Sequence, residues 1–178
     1  MNKHSRFISN GFKLAVMALV ISGAGSAMAA TATATSTSTV VTPIAIQKMV
    51  DLSFGSFASG SSSGTVTVTP AGVRSFTGGA VTAGGTASAA KFDVTGSGTM
   101  NYTVTLTNAA TLSDGGTNTM AFTRIADTSA SAITTGDVTS GTLTAGKQSI
   151  YVGGSLAVAA NQAAGTYTGS ITATVEYN

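Results

Sequence analysis

The sequence predicts an all-β fold, an antiparallel β-sandwich, and three observations lead there. Val, Ile and Thr recur with period 2 along most of the chain, the signature of half-buried strands. Beyond the N-terminal stretch, no window of helical length shows a 3.6-residue apolar period. Short alternating segments are separated by Gly, Ser, Pro and Asp-Gly turns, at the spacing of sandwiches rather than of βαβ units. Low charge (8%) and heavy Gly, Ser and Thr use could suggest disorder, but disordered chains are usually charged and poor in β-branched residues.

The N-terminus carries an export signal. Lys3, His4, Arg6 and Lys13 form a positive region, Leu14 to Ile21 an apolar core, and Ala27-Met28-Ala29 a small-x-small cleavage pattern. The apolar run is shorter than the roughly 20 residues of a membrane span. Residues 1–29 are therefore expected to be a signal peptide, leaving Ala30 to Asn178 without a membrane span. Residues 30–41 follow as an Ala/Thr/Ser arm or linker, and residues 42–178 as one sandwich domain.

Within that domain, Ile44, Ile46, Val50, Leu52 and Phe54 share one parity, interrupted at Lys48, and Pro43 puts the start of the strand at an edge. Gly60-Ser-Ser-Ser-Gly64 reads as a loop, Thr65–Thr69 as a strand, Pro70-Ala71-Gly72 as a turn, and Val73–Phe76 as a strand entering a Gly-rich stretch. Ala90–Thr95 and Met100–Thr107 follow, the second with Tyr102, Val104 and Leu106 on one face. Asp114-Gly115-Gly116 signals a turn before Met120–Ile125, and Asp127 to Gly141 reads as a loop. Gln148–Val152 and Ser155–Val158 flank Gly153-Gly154, a pattern that predicts a two-residue hairpin. Gly165 to Asn178 completes the chain as one long two-faced strand. Its first face carries Tyr167, Gly169, Ile171, Ala173, Val175 and Tyr177, and its second Thr166, Thr168, Ser170, Thr172, Thr174 and Glu176.

Composition argues against most chemistry. Beyond residue 29 there are five cations against six acids, a net charge of −1, so the basic pI belongs to the signal segment. The cations Lys48, Arg74, Lys91, Arg124 and Lys147 are scattered singly, which is no nucleic-acid footprint. The chain has no Cys or Trp, and its single His is His4, so zinc ligands and a histidine base are missing beyond residue 29. Gly60 to Gly64 fits the G-x-S-x-G pattern without the helix or the histidine that a nucleophile elbow needs. Asp93, Asp114, Asp127 and Asp137 are too dispersed for a calcium loop. Asn101-Tyr102-Thr103 matches a glycosylation acceptor but lies inside a predicted strand. The expectation is a protein that is not an enzyme and takes no cofactor or metal.

The terminal strand resembles that of chaperone–usher pilus subunits, with a penultimate aromatic (Tyr177), alternating Val175, Ala173 and Ile171, and Gly165 fourteen residues from the end. The stretch from Ile150 to Gly169 is similar to the ending of secreted spore coat U-type pilin domains. Over its length beyond the signal, the chain resembles an uncharacterised family of secreted bacterial proteins. Val41-Thr-Pro-Ile44, Asp51-Leu-Ser-Phe-Gly-Ser-Phe57 and Gly165-Thr-Tyr-Thr-Gly169 carry that likeness.

The pilin resemblance implies an immunoglobulin-like sandwich lacking one strand. A periplasmic chaperone, and then the arm of the next subunit, would fill the gap by β-augmentation at an usher, giving a head-to-tail polymer. Gly165, Tyr167, Ile171, Ala173, Val175 and Tyr177 would then line the groove, and Ala32, Ala34, Ser36, Ser38 and Val40 would face it from the donor arm. Those arm residues are smaller than the large apolar residues a donor normally presents, so residues 30–41 read equally as a linker. The alternative to a fimbria-like surface subunit is a self-complete secreted sandwich, a matrix or ligand-binding module. The expected location is the periplasm, the cell surface or the extracellular space.

Overall fold

The computed structural model describes residues 28–178; residues 1–27, which hold most of the expected signal peptide, lie outside the described residues. The chain divides into two units, Met1–Ser38 and Thr39–Asn178. Residues 28–38 of the first unit carry no strand and are exposed. The second unit is all-β, with two antiparallel sheets facing one another as a sandwich and no helix among the described residues.

Its strands are β1 (Ala45–Val50), β2 (Ser56–Val68), β3 (Arg74–Gly84), β4 (Ala90–Thr95) and β5 (Asn101–Asn108). They continue as β6 (Thr111–Ser113), β7 (Thr119–Asp127), β8 (Ser140–Thr142), β9 (Lys147–Val158) and β10 (Ile171–Tyr177). The smaller sheet has the order β10-β5-β8.

The larger sheet is organised around β9. Along one edge of β9, Lys147–Val152 pairs with β4 and Gly154–Val158 with β2. Along the other edge β7 runs from Tyr151 to Ala157. Outside these lie β1 against β4, β3 against β2, and β6 against β7. The sheet thus forks where β4 gives way to β2, and Gly153 sits at the fork. A Cβ there would run into the carbonyl oxygen of Val68 and approach the carbonyl carbon of Thr69 to 2.8 Å. At Gly154 a Cβ would enter the ring of Phe122. Gly153-Gly154 is therefore no hairpin, as its local pattern suggests, but the middle of an uninterrupted strand in which two neighbours come too close for side chains.

Three other expectations change. Gly60 to Gly64 is not a loop: it belongs to β2 as an irregularity between the Ser59↔Ala80 and Gly64↔Gly78 pairs. A Cβ on Gly60 would lie 2.9 Å from the Gly79 carbonyl oxygen, and one on Gly79 would meet that of Ser62, so glycines on both strands let the bulge close. In β1 the register shifts between Lys48 and Val50, and Lys48 turns out to pair with Asp51 at 2.6 Å. Ile44 and Ile46 stay half-buried, but Val50 is left exposed despite sharing their parity.

The terminal strand is also shorter than expected. The segment pairing with it leaves the small sheet after Asn108 and enters the large one at Thr111. The terminal segment follows that crossing through an isolated Thr168↔Ser113 bridge and a bond from Ala109 N to Ser170 O. A regular ladder starts only at Ile171↔Asn108 and runs to Tyr177↔Tyr102.

Two core clusters result. The first lies between the sheets and joins Phe92 and Val94 of β4, Tyr102, Val104 and Leu106 of β5, and Ile150 and Val152 of β9. The second joins Val66 and Val68 of β2, Met120 and Phe122 of β7, Leu156 and Val158 of β9, and Phe54. The small sheet contributes only Ile171 to it.

Candidate functional site: the terminal strand and its groove

Because the small sheet roofs the first cluster, the second is covered mainly by irregular chain, with Ile171 at its border. Residues 51–59, ahead of and into β2, and 162–170, ahead of β10, form its rim. Between them lies a groove of about 800 Å³, with Leu52, Phe54, Phe57, Phe92, Met120 and Leu156 among its apolar walls. Phe54 packs edge-on against Phe122, with centroids 6.1 Å apart and planes at 85°, a favourable aromatic geometry. Lys48 and Asp51 stand at one margin of the groove.

β10 forms the other half of the site. Among the described residues it pairs with β5 alone, so its second edge presents unpaired backbone groups. Its face alternates as expected: Ile171, Ala173, Val175 and Tyr177 point toward the core and Thr172, Thr174 and Glu176 are exposed. Those inward residues are only half-buried, whereas Tyr102, Val104 and Leu106 on adjacent β5 are fully buried.

The sequence-predicted residues separate into groups. Gly165, Tyr167 and Ile171 line the groove. Ala173, Val175 and Tyr177 pack instead against the first cluster, beside Ile44 and Ile46. Tyr167 is held in place by its hydroxyl, which donates to Ala163 O at 2.8 Å and accepts from Gln162 Nε2 at 2.8 Å. The Tyr177 hydroxyl donates to Thr42 O at 2.8 Å and accepts from Ser97 N at 2.6 Å, tying the end of β10 to the start of the domain. At Gly165 a Cβ would meet Asp114 Cβ at 3.4 Å, an ordinary contact, so close backbone approach does not explain that glycine. Ala32, Ala34, Ser36 and Ser38 lie in no strand, and Val40 is 94% exposed. Phe54, Phe57 and Phe122, which form the aromatic wall, were not among the expected groove residues. Leu52 and Phe54 share the parity of the first strand, but only the fold brings them to β7 and β9.

Several charged groups brace the fold. Arg124 on β7 reaches the small sheet, donating to Leu106 O at 3.0 Å and Asn108 Oδ1 at 2.6 Å, and forks onto both oxygens of Asp137. Those bonds from Arg124 hold the Asp137 carboxyl below the usual carboxylate range. The Ser149 hydroxyl and Lys91 lower Asp93, and the Ser131 and Ser129 hydroxyls lower Asp127. Arg74 braces the entry to β2 by donating to Phe54 O at 2.7 Å and Thr82 Oγ1 at 3.0 Å. Among the described residues no group of three or more His, Cys, Asp or Glu gathers that could hold a metal ion. No described helix is long and apolar enough to cross a membrane.

A family model described as "Domain of unknown function (DUF4402)" matches residues 44–177, the span from just before β1 to the end of β10. Neither the curated proteins nor the solved structures contain a match to this chain.

Proposed function

The chain belongs to the DUF4402 domain family, and from that premise we propose that it is an exported, fimbria-like structural subunit that assembles by strand donation. The observation that carries this reading is the edge of β10 that no described strand pairs with, its first residue Ile171 also lining the apolar groove. An added strand would satisfy the unpaired backbone groups of β10 and cover the half-buried row from Ile171 to Tyr177. The likeness of the ending to chaperone–usher and spore coat U-type subunits supports the same mode, in an immunoglobulin-like sandwich short of one strand.

The donor is residues 30–41 of a second copy, with Ala32, Ala34, Ser36, Ser38 and Val40 facing inward. Each methyl-sized group contributes only about 0.8 kcal/mol on burial, so backbone pairing supplies most of the affinity and side chains set the register. The contact is head-to-tail and does not close on itself, so it builds a fibre. A periplasmic chaperone would guard the groove before assembly, and an usher would exchange it for the arm. The alternative, a self-complete secreted matrix or ligand-binding module, would use the same groove for a ligand rather than for a strand.

The test compares the exported chain with a version lacking residues 30–41, each resolved on SDS gels with and without heating. The expected result is a heat-sensitive ladder from the first and none from the second. Monomers that unfold cooperatively from both would overturn the proposal.

A further inference from the structure

A second depression lies away from the apolar groove, at the end of the small sheet. It encloses about 510 Å³ and is lined by Asn101, Thr128, Ser140, Thr142, Gln148 and Asn178, together with Gly141. The side chains that line it are neither charged nor aromatic. Phosphate, nucleic acid and other anions need cations, which these side chains do not supply, and a divalent metal needs several converging carboxylates. An apolar ligand needs apolar walls. What remains is a neutral ligand recognised through hydrogen bonds.

The polar groups are also ordered. Thr142 Oγ1 donates to Asn101 Oδ1 at 2.7 Å, and Thr103 Oγ1 donates to Asn178 Oδ1 at 2.6 Å. Each bond occupies an amide oxygen and fixes the plane of its amide, leaving both N–H donors of that NH₂ group for a ligand. Gln148 on β9 and Ser140 on β8 add groups that both donate and accept. Beyond the depression, the outer face of the same sheet continues the chemistry, with Thr107 opposite Thr172 and Thr105 opposite Thr174, all exposed. The result is a hydroxyl and amide surface broken by the single carboxylate of Glu176.

We infer that this depression binds neutral, polyhydroxylated glycans, the amide NH₂ groups of Asn101 and Asn178 donating to sugar oxygens and the hydroxyl of Ser140 accepting from sugar hydroxyls. The assignment does not rest on polymer formation. Without an aromatic platform each site is weak, with a dissociation constant on the order of millimolar, since few ligand atoms are desolvated. Repetition of the site along an assembly would multiply that affinity through effective concentration.

The test is a titration of the isotopically labelled exported chain with neutral trisaccharides built from glucose, mannose, galactose or N-acetylglucosamine, followed by amide resonances in NMR. The inference expects saturable shifts centred on Asn101, Ser140, Thr142, Gln148 and Asn178 for at least one neutral sugar. It also expects at least a tenfold weakening in both Asn101→Ala and Gln148→Ala, with the remaining spectrum unchanged. Gln148→Ala leaves the β5–β8 bonds intact and keeps the test valid if Asn101→Ala disturbs folding. No saturable shift with any of the four sugars, shifts centred elsewhere, or equal shifts with a sialylated or sulfated trisaccharide would overturn it.

Discussion

Replacing Gly153 by alanine tests the fork in the large sheet directly. The added methyl would meet the Val68 carbonyl oxygen, lie 3.0 Å from the Val68 carbonyl carbon and 2.8 Å from that of Thr69. All three obstructing atoms are backbone, so no side-chain rotation relieves the overlap. Relief requires moving the end of β2 off β9, at the edge of a ladder that runs from Gly64↔Val158 to Val68↔Gly154. Overpacking of a tight site costs about 1–3 kcal/mol, and a backbone obstruction belongs in the upper half of that range. Against it stands a gain of about 0.4–1 kcal/mol from the narrower unfolded ensemble of alanine. The net is a loss of about 2 kcal/mol, which for a domain near 150 residues lowers the melting temperature by about 4–8 °C.

Thermal unfolding followed by far-ultraviolet circular dichroism measures that shift, with Gly165→Ala as the matched control. Gly165 is exposed, has no positive φ, and would place its methyl at an ordinary 3.4 Å from Asp114. Its expected change is within about 0.5 kcal/mol. If Gly153→Ala melts together with Gly165→Ala and the parent, β2 does not approach β9 as described and the forked sheet is wrong.

Gly141→Ala drives a methyl into the buried ring of Tyr102, and a loss of about 1–3 kcal/mol is expected in urea unfolding. Tyr177→Phe removes the hydroxyl shared by Ser97 N and Thr42 O, and should cost about 1–2 kcal/mol in the same measurement. Asp137 has a folded pKa below its unfolded value, so its contribution is fully present above the ordinary carboxylate range and is lost as pH falls through the folded pKa. Asp137→Asn should therefore lower stability at neutral pH and flatten its decline in acid; an unchanged pH–stability slope below about pH 4 would contradict the Arg124 assignment.

How much of this was legible in the sequence depended on how locally each element is determined. Tyr102, Val104 and Leu106 alternate with Asn101, Thr103, Thr105 and Thr107, and β5 buries the first set and exposes the second. Ala90–Thr95 was equally readable, because its six residues alternate without a glycine. Gly153-Gly154 misled because the same dipeptide that makes a tight turn also admits close neighbours, and only the positions of Val68 and Phe122 distinguish the two. β6 and β8 are three residues each and carry no period at all; they exist because β7 and β5 offer them an edge.

The candidate site divides along the same line. The inward face from Ile171 to Tyr177 is a matter of alternation within one segment, and it stands as read. The groove is not a property of any segment. Its walls come from residues 52–57, 120–122 and 156, which meet because β9 carries β7 on one edge and β2 on the other. A three-stranded sheet facing the wider forked one leaves most of the β2 branch without a strand above it, so residues 51–59 and 162–170 close over that core instead. The terminal strand was thus informative for its face, while its unpaired edge follows from how few described strands share its sheet.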